Sequence, residues 1–277
     1  MSALAEIGKP AVPALVEALK DDNVFIRTGA TYTLMDMGET ASPAVDALIE
    51  ALDDDSTEVQ IGAVEALCII QAEPQKVVPA LIRLIREADM DVRRAAADMI
   101  GKFREHAKDA IPTLCEALRS GSTELRLSAL GSFCWMEEHG IDAFEEVSKA
   151  TSDADPRIRR SALLAIGWFG AGPERTLPFV RKGLEDSDPG VRGAALQALV
   201  PAGAFPQEAL QIYGKHLAGD DDPEVRGTAA YLLGQLGSTA EGAVPALIEA
   251  LNRDEMDVKR RAAVALGKIG GPAEAAI

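Results

Sequence analysis

The chain has 277 residues, with 44 Asp and Glu against 28 Lys and Arg, and its formal net charge at neutral pH is −16. Such a charge repels nucleic acid and anionic membrane surfaces, which argues against both as partners. No run of about 18 apolar residues is present to span a membrane, and the first ten residues lack the basic and apolar regions of a signal peptide. The three cysteines show no metal-site spacing. We therefore expect a cytoplasmic protein without a metal or cofactor.

One apolar position returns every 33 or 34 residues and serves as an anchor for comparing the segments. The anchors are Ile26, Val59, Val92, Leu125, Ile158, Val191, Val225 and Val258. Alanine stands four residues after every anchor, and Leu, Ile or Phe stands eight residues after it. Because spacings of four place residues on one face of a helix, the pattern predicts eight similar helices, here called A helices.

A second helix, the B helix, fills the rest of each period. The segments AVPALVEAL at 11–19 and AVPALIEAL at 243–251 differ at one residue, and proline is tolerated in a first helical turn. Neither helix can bury its apolar face alone, so neighbouring pairs must stack. The sequence predicts an all-α chain, an α-α superhelix of about eight two-helix repeats of 33 residues, forming a single solenoid domain over 1–277. Both ends fall inside repeats, which suggests a segment of a longer protein.

A basic residue usually follows the anchor, and an acidic residue usually precedes it by five positions. The arginines are Arg27, Arg93, Arg126, Arg159, Arg192 and Arg226, and the aspartates are Asp21, Asp54, Asp153, Asp186 and Asp220. An arginine can reach the turn of a neighbouring repeat and hold a carboxylate bidentately. We interpret these residues as a structural ladder that joins each repeat to the next turn, and the acidic net charge argues against the alternative of a phosphate-binding stripe.

The segment DDDPEVRGTAAYLLGQLG at 220–237, followed by AVPALIEAL, resembles HEAT repeats of the phycobilisome (PBS) lyase type. The resemblance extends over essentially the whole chain. It implies a HEAT-like solenoid, and it is compatible with bilin lyases, scaffolds and binding domains of larger bacterial proteins. Fold alone does not choose among these functions.

An enzymatic relative can be tested against the residues. The chain also resembles deoxyhypusine hydroxylase, a helical-repeat enzyme whose family binds iron through His-Glu pairs soon after the anchor. The corresponding pairs here begin with Thr28-Gly29 and end with Arg260-Arg261, and no His-Glu pair occurs anywhere in the chain. This argues against that iron site, and no catalytic residue set can be assembled from the sequence.

Departures from the repeat pattern are the candidates for specificity. The two tryptophans, Trp135 and Trp168, both stand ten residues after an anchor, in successive repeats. Three of the six other repeats carry a charged residue at this position, which indicates that it is usually exposed. Exposed tryptophans anchor protein partners, although these two could instead cover a thin local core. The pairs Glu105-His106 and Glu138-His139 also lie 33 residues apart. They provide too few ligands to predict a metal site and are interpreted as solvated loop residues.

The exposed row of the B helices, which lines the concave face in HEAT-like folds, changes its charge along the chain. Its candidate partner-binding residues are Arg83, Glu116, Lys149, Phe179, Lys182, Ile212 and Lys215. The row is either a solvated face or a partner groove. The B helix at 141–151 is predicted to be the least stable, because Ser148 and Thr151 replace apolar core residues.

The function that these patterns favour is a non-catalytic scaffold for protein–protein interaction. Its binding surface would be the central concave face together with Trp135 and Trp168, and its partner another protein or another domain of the same polypeptide. The alternative is a subunit of a bilin lyase or another chromophore-handling protein. The oligomeric state is left open.

Overall fold

The computed structural model describes residues 8–253 and 255–270. All regular elements in these ranges are helical. The α-helices are α1 Val12–Ala18, α2 Val24–Met37, α3 Val45–Ala51, α4 Thr57–Ile70, α5 Pro74–Glu87, α6 Met90–Met99, α7 Ile111–Ser120, α8 Thr123–Met136, α9 Phe144–Ala150, α10 Pro156–Trp168, α11 Pro173–Gly183, α12 Pro189–Ala198, α13 Pro206–Gly219, α14 Pro223–Gln235, α15 Val244–Arg253 and α16 Met256–Ile269. Short 3₁₀ segments occupy Lys9–Ala11, Gly38–Ala44, Ile100–Ala110, Glu137–Ala143 and Gly237–Ala243.

The even-numbered helices are the A helices, and each one contains a single anchor. The alanine four residues after each anchor is buried, as is the larger apolar residue eight after it. The anchors are buried too, apart from Ile26, which is half-exposed. The predicted alternation of A and B helices is therefore confirmed across the described residues.

Helix starts follow from local capping. Asn23, Ser122, Asp155, Asp188 and Asp222 precede A helices, and their side chains accept hydrogen bonds from backbone N–H groups of the first turn. Those N–H groups have no partner within the helix, so the caps satisfy them and fix the point where each helix begins.

The chain divides into two compact units, unit 1 (Met1–Ala143) and unit 2 (Phe144–Ile277). In unit 1, α2 packs on α4, α4 on α6, and α6 on α8; in unit 2, α10 packs on α12, α12 on α14, and α14 on α16. Each A helix also packs against the B helix that precedes it in the chain. Every unit thus has a core made by stacking helix pairs.

Successive A helices approach closely at the position nine residues after the anchor. A Cβ on Gly101 would stand 2.2 Å from the Ser132 carbonyl oxygen, and a Cβ on Gly234 would stand 2.8 Å from the Ala265 Cα. Only a very small residue fits against backbone atoms at such distances. In unit 1 the contact carries a hydrogen bond as well, because Gly101 N donates to Ser132 Oγ at 2.9 Å.

The weak B helix predicted at 141–151 is α9, and the division between the units falls at its start. The buried Ser148 hydroxyl donates to the Glu145 carbonyl at 3.1 Å, and the Thr151 hydroxyl donates to the Ser148 carbonyl at 2.7 Å. These bonds satisfy the two polar groups, which limits the cost of placing them in a core row.

Candidate functional site

The arginines after the anchors bridge successive inter-helix turns. Arg192 shows the full pattern: Nη1 donates to the carbonyls of Asp186 and Ser187 in its own turn, at 3.0 and 3.3 Å. Its Nε and Nη2 donate to the Asp220 carboxylate in the next turn, at 3.0 and 2.7 Å, and Nη2 also contacts Asp221. The side chains of Arg192 and Asp220 are only 11% and 4% exposed. One guanidinium thus ties two turns together.

The same arrangement recurs with variations. Arg27 holds the Asp54 carboxylate and donates to the Asp21 carbonyl, and Arg159 likewise holds Asp186 and donates to the Asp153 carbonyl. Arg226 donates to the carbonyls of its own turn, at Asp220 and Asp221. Arg93 and Arg126 depart from this pattern, because their Nε atoms donate to the B-helix carbonyls of Ile85 and Leu118. The Asp21 carboxylate accepts from Asn23 N in its own turn.

Electrostatics agree with a structural role for the ladder. The hydrogen bond from Arg159 lowers the pKa of the Asp186 carboxyl below its usual value, and burial opposes this only in part. For Asp220, burial acts to raise the pKa, but hydrogen bonds from Arg192, His216 and the Asp222 backbone outweigh it and lower the pKa. These carboxylates are charged and fully engaged inside the fold, which leaves little of them to bind a ligand.

The B-helix row lies on the surface. In unit 1, Arg83 binds Asp53 bidentately at 2.8 and 3.0 Å, and Glu116 is exposed on α7. In unit 2, the exposed residues of the row are Lys149, Lys182 and Lys215, on α9, α11 and α13. Lys182 donates to Ser152 at 3.1 Å and Lys149 contacts Glu146 at 3.4 Å.

The two apolar members of the row are only partly accessible. Phe179 is half-buried and packs edge-to-face on Phe144, with ring centroids 6.0 Å apart. Arg175 lies over the same Phe144 ring at 4.3 Å. Ile212 is half-buried on α13. Phe179 therefore contributes mainly to packing within unit 2.

The tryptophans belong to different units. Trp135 is the penultimate residue of α8 in unit 1, is 49% exposed, and has the Lys102 ammonium 5.6 Å from its ring centroid. Trp168 ends α10 in unit 2 and is 51% exposed. Whether they act together as one patch stays a prediction, but both are accessible to a partner.

Trp168 forms one wall of a groove of about 560 Å³ on the A-helix side of unit 2. We call it the Trp168 groove; its main lining residues are Trp168, Val200, Pro201, Tyr231, Gln235 and Leu236. Tyr231 and Val200 are 48% and 46% exposed. None of the B-helix row lines it. The structure therefore separates Trp168 from the lysines that the sequence analysis had grouped with it.

The groove exists because α12 ends early. The neighbouring helices α10 and α14 run to the tenth residue after their anchors, whereas α12 ends at the seventh, Ala198. Pro201 stands at the tenth position, and proline disfavours helical conformation in the residue before it and cannot donate a helical hydrogen bond. The Leu196 carbonyl, at the end of the shortened helix, accepts from the Tyr213 hydroxyl at 3.2 Å. The missing helical turn leaves a space between Trp168 and Tyr231.

Three lining residues of the groove were not predicted from the sequence, although a signal was present: Val200, Pro201 and Tyr231. Val200 holds the ninth position after its anchor, where Gly101, Gly167 and Gly234 stand in other repeats, and Pro201 follows it. A bulky apolar residue before a helix-breaking proline indicates that this repeat does not make the close contact between A helices that glycine allows at the ninth position. An exposed apolar site follows from that change.

A second departure lies in unit 1, at the twelfth residue after the anchor. Five repeats place a glycine there with positive φ, and three place Gln71, Arg104 and Glu137, also with positive φ, at 53°, 48° and 51°. The ψ angles of Arg104 and Glu137 are −115° and −131°. Residues other than glycine rarely combine such a ψ angle with a positive φ. Such strain costs about 1–3 kcal/mol for each residue.

Arg104 and Glu137 form a bidentate ion pair with each other, at 2.9 and 3.0 Å. Their side chains are 52% and 34% exposed, and surface pairs stabilise a protein by about 1 kcal/mol at most. The pair is therefore too weak to offset the strain. Backbone strain of this kind concentrates at functional sites, so this row of turns is a secondary candidate surface.

We expect Glu137→Gly to raise the free energy of unfolding by about 1 kcal/mol, because it removes strain that exceeds the value of the ion pair. The change is measured as a shift of the urea midpoint at constant slope. Glu137→Ala is the control: it removes the same ion pair, keeps the strained φ, and should not stabilise. A Glu137→Gly variant less stable than the wild type would show that the ion pair outweighs the strain.

The described residues contain no group of three or more His, Cys, Asp and Glu side chains suited to a metal ion. His106 and His139 each lie near the adjacent glutamate, at 3.7 and 3.8 Å. Burial raises the pKa of the Cys134 thiol to about 11 and that of Cys68 further, so neither is a ready nucleophile. No helix in the described part combines the length and apolar character needed to cross a bilayer.

Comparison with solved structures supports the predicted fold class. An engineered protein is 21% identical, with a TM-score of 0.51, covering 96% of this chain and 83% of its own. The Escherichia coli protein YibA is 17% identical, with a TM-score of 0.57 and 97% coverage of both chains. Kap95, in its complex with Nup1, is 16% identical with a TM-score of 0.66; the match covers all of this chain and 43% of Kap95. At these identities the likeness shows the fold alone.

Comparison of the sequence itself gives the family. No curated protein sequence matches the chain. The family model of HEAT repeats matches residues 1–59, 45–134, 111–200 and 210–277, which is most of the chain. Together with the stacked helix pairs, this confirms the predicted α-α superhelix of HEAT type. The chain belongs to the family of HEAT repeats.

Proposed function

We propose that the chain is a non-catalytic scaffold that binds another protein, or another domain of the same polypeptide, through the Trp168 groove. The observation that carries the proposal is the exposure of Trp168, Val200 and Tyr231 around one concavity. Clustered exposed apolar side chains mark interaction sites, and Trp and Tyr are the residues that most often dominate binding energy.

The use of the repeated polar groups supports a non-catalytic role. The ladder arginines and aspartates hold turns together, as Arg192 and Asp220 do, and the cap residues satisfy helix ends. Because the recurring charged groups stabilise the fold, binding specificity is expected to come from positions that differ from the repeat pattern. Those departures at the Trp168 groove are apolar and aromatic, which suits binding.

Structural neighbours support the same class of function by analogy. Kap95 was solved with Nup1 and Kap121p with Nup53p, so these helical-repeat proteins bind other proteins. The match covers 43% of Kap95 and 33% of Kap121p. Their partners are not carried over to this chain.

The proposal is tested by affinity capture from the source cell, using the wild type, Trp168→Ala and Trp135→Ala in parallel. Trp135 is a matched control, because it holds the same repeat position with similar exposure and does not line the groove. We expect a partner protein to be captured by the wild type and Trp135→Ala and lost with Trp168→Ala. Circular dichroism checks that all three are folded.

Other outcomes have distinct meanings. A protein retained by all three variants keeps the scaffold and moves its site toward the row of Lys149, Lys182 and Lys215. Capture of no specific protein by any variant contradicts the scaffold.

The finer family assignment, a PBS-lyase type repeat, carries the alternative of a chromophore-handling protein. It is tested by adding an open-chain tetrapyrrole to the purified chain and recording its absorbance. A shift that Trp168→Ala abolishes would favour this alternative over a protein scaffold. An unchanged spectrum keeps the scaffold proposal. The cytoplasmic location stays a prediction.

A further inference from the structure

The Trp168 groove continues along the outer face of α12. A second hollow, of about 480 Å³, shares Gln197, Thr228 and Arg261 with it, so the two are one continuous groove. Its floor includes Gly190 and Gly193 of α12. The outer face of this helix is therefore lowered at these two glycines, whereas the exposed Gln197 on the same helix keeps its side chain.

The sequence explains the lowered floor. Gly193 stands two residues after its anchor, where α10 and α16 carry Arg160 and Arg260. No heavy atom lies within 4 Å of the place where a Cβ on Gly193 would stand. α14 likewise has a glycine, Gly227, at the position of Gly193. The result is a channel open to solvent, lined by Arg160 of α10, by the two glycines of α12 and by Glu224 and Thr228 of α14.

Charge differs along the groove. At the end of the groove near the N-terminus of α12, Arg261 forms ion pairs with Glu224 at 2.9 Å and with Asp257 at 2.7 Å. Arg160, at the same end, makes no ion pair with any described residue. At the aromatic end, the Lys268 ammonium lies 5.5 Å from the Tyr231 ring centroid and is likewise without an ion pair in the described chain. Asp222, which also lines the second hollow, accepts hydrogen bonds from the backbone at the start of α14. Arg160 is thus the charged lining residue that has neither an ion pair nor a hydrogen bond with the described residues.

We propose that the groove binds an extended peptide segment of a partner protein, with a large apolar side chain between Trp168 and Tyr231 and a carboxylate at Arg160. This deepens the proposed scaffold function and rests on it. An apolar side chain gains from desolvating the two rings, and a carboxylate forms a charge-assisted pair with the free guanidinium. An extended strand also fits this channel, because Gly190 and Gly193 leave the part of its floor beside Arg160 without side chains.

The positions of the two contacts fix their separation in the peptide. Arg160 and Trp168 are eight residues apart on α10, which corresponds to about 12 Å along a helix. An extended chain spans about 3.3–3.6 Å per residue. The acidic residue should therefore lie about four residues from the apolar one.

The test uses a displayed library of random decapeptides, selected on the full chain. We expect enriched sequences to share an Asp or Glu about four residues from an aromatic or large aliphatic residue. Their affinities are measured by fluorescence anisotropy, and Trp135→Phe leaves Trp168 as the single tryptophan, whose emission should shift to the blue on binding. Gly193→Leu should weaken binding at least tenfold, because its side chain projects into the channel while the helix tolerates it. Gly29→Leu, at another open helical glycine, is the control and should bind normally.

The charge contact has its own variant. Arg160→Glu should weaken the selected acidic peptides and favour versions in which the acid is replaced by lysine. Arg157→Glu is the matched control, because Arg157 is on the same helix but does not line the groove. Both variants are checked for a wild-type helical spectrum.

Several results would overturn the inference. They are the enrichment of no common sequence, the enrichment of lysine or arginine in place of the acid, and binding that Gly193→Leu leaves unchanged. If Trp168→Ala loses a partner protein in the capture experiment but Gly193→Leu retains it, the scaffold stands and the extended-peptide mode fails. If neither experiment finds a protein or peptide, both proposals fail.

Discussion

Replacing Arg192 with alanine lowers the stability of unit 2 by about 3 kcal/mol, because it leaves a buried carboxylate without its main partner. Asp220 is 4% exposed, and Arg192 supplies two of its hydrogen bonds. Measured losses on breaking buried pairs are about 3–5 kcal/mol. The lower end applies here, because His216 and the Asp222 N–H still contact Asp220, each at 3.0 Å.

The effect is measured as the urea midpoint of the full chain together with hydrogen exchange in α12 and α13, since repeat proteins can open locally. Arg157→Ala is the control. Its side chain is 60% exposed and pairs with Asp155 at 2.8 Å on the surface, so its loss should cost no more than about 0.5 kcal/mol. If both variants lose the same small amount, the Arg192 pair behaves as a surface pair and the ladder does not hold the turns together.

Replacing Gly101 with alanine destabilises unit 1 by about 3 kcal/mol, at the upper end of the cost of overpacking. The added methyl would stand 2.2 Å from the Ser132 carbonyl oxygen and 2.6 Å from the Ser132 Cα. Both are backbone atoms and cannot rotate away, so the chain just after α6, where Gly101 lies, must move away from α8. The hydrogen bond from Gly101 N to Ser132 Oγ is lost in the same movement.

Gly29→Ala separates this packing effect from helix propensity. Gly29 lies in α2, and a Cβ there would meet no heavy atom within 4 Å. Alanine should therefore stabilise α2 by up to about 1 kcal/mol, the difference in propensity. Thermal and urea midpoints of the two variants should move in opposite directions. A Gly101→Ala variant as stable as the wild type would mean that the helices adjust without cost.

The candidate site was only partly predictable. The sequence placed Trp135 and Trp168 at one repeat position but left open whether they bind a partner or cover a thin core. Both are about half-exposed. The sequence did not indicate that Trp168 faces Tyr231 across a gap, because the gap depends on where α12 ends relative to its neighbours. The sequence grouped Trp168 with Lys182, which lies on a B helix and does not line the Trp168 groove; whether the two bind the same partner stays a prediction.

The ladder shows how far local rules reach. The spacing of Arg159 and Asp186 was sufficient to suggest their pairing, because the repeat holds the distance between turns nearly constant. It did not distinguish Arg93, whose Nε donates to the Ile85 carbonyl instead. In the next repeat the position of the aspartate is taken by Ser120, so the carboxylate on which the pattern depends is missing.

The sequence by itself determined the helices, their order and their repeat, because a 33-residue period with apolar residues every four positions admits one local structure and one way to bury it. The tertiary structure decided where the repeats fail to fit together. The Trp168 groove depends on where three neighbouring helices end and on which side chains they carry on their outer faces. The strain at Arg104 and Glu137 depends on the turn conformation that stacking of the repeats imposes. Those properties arise from contacts between repeats, which no single repeat encodes.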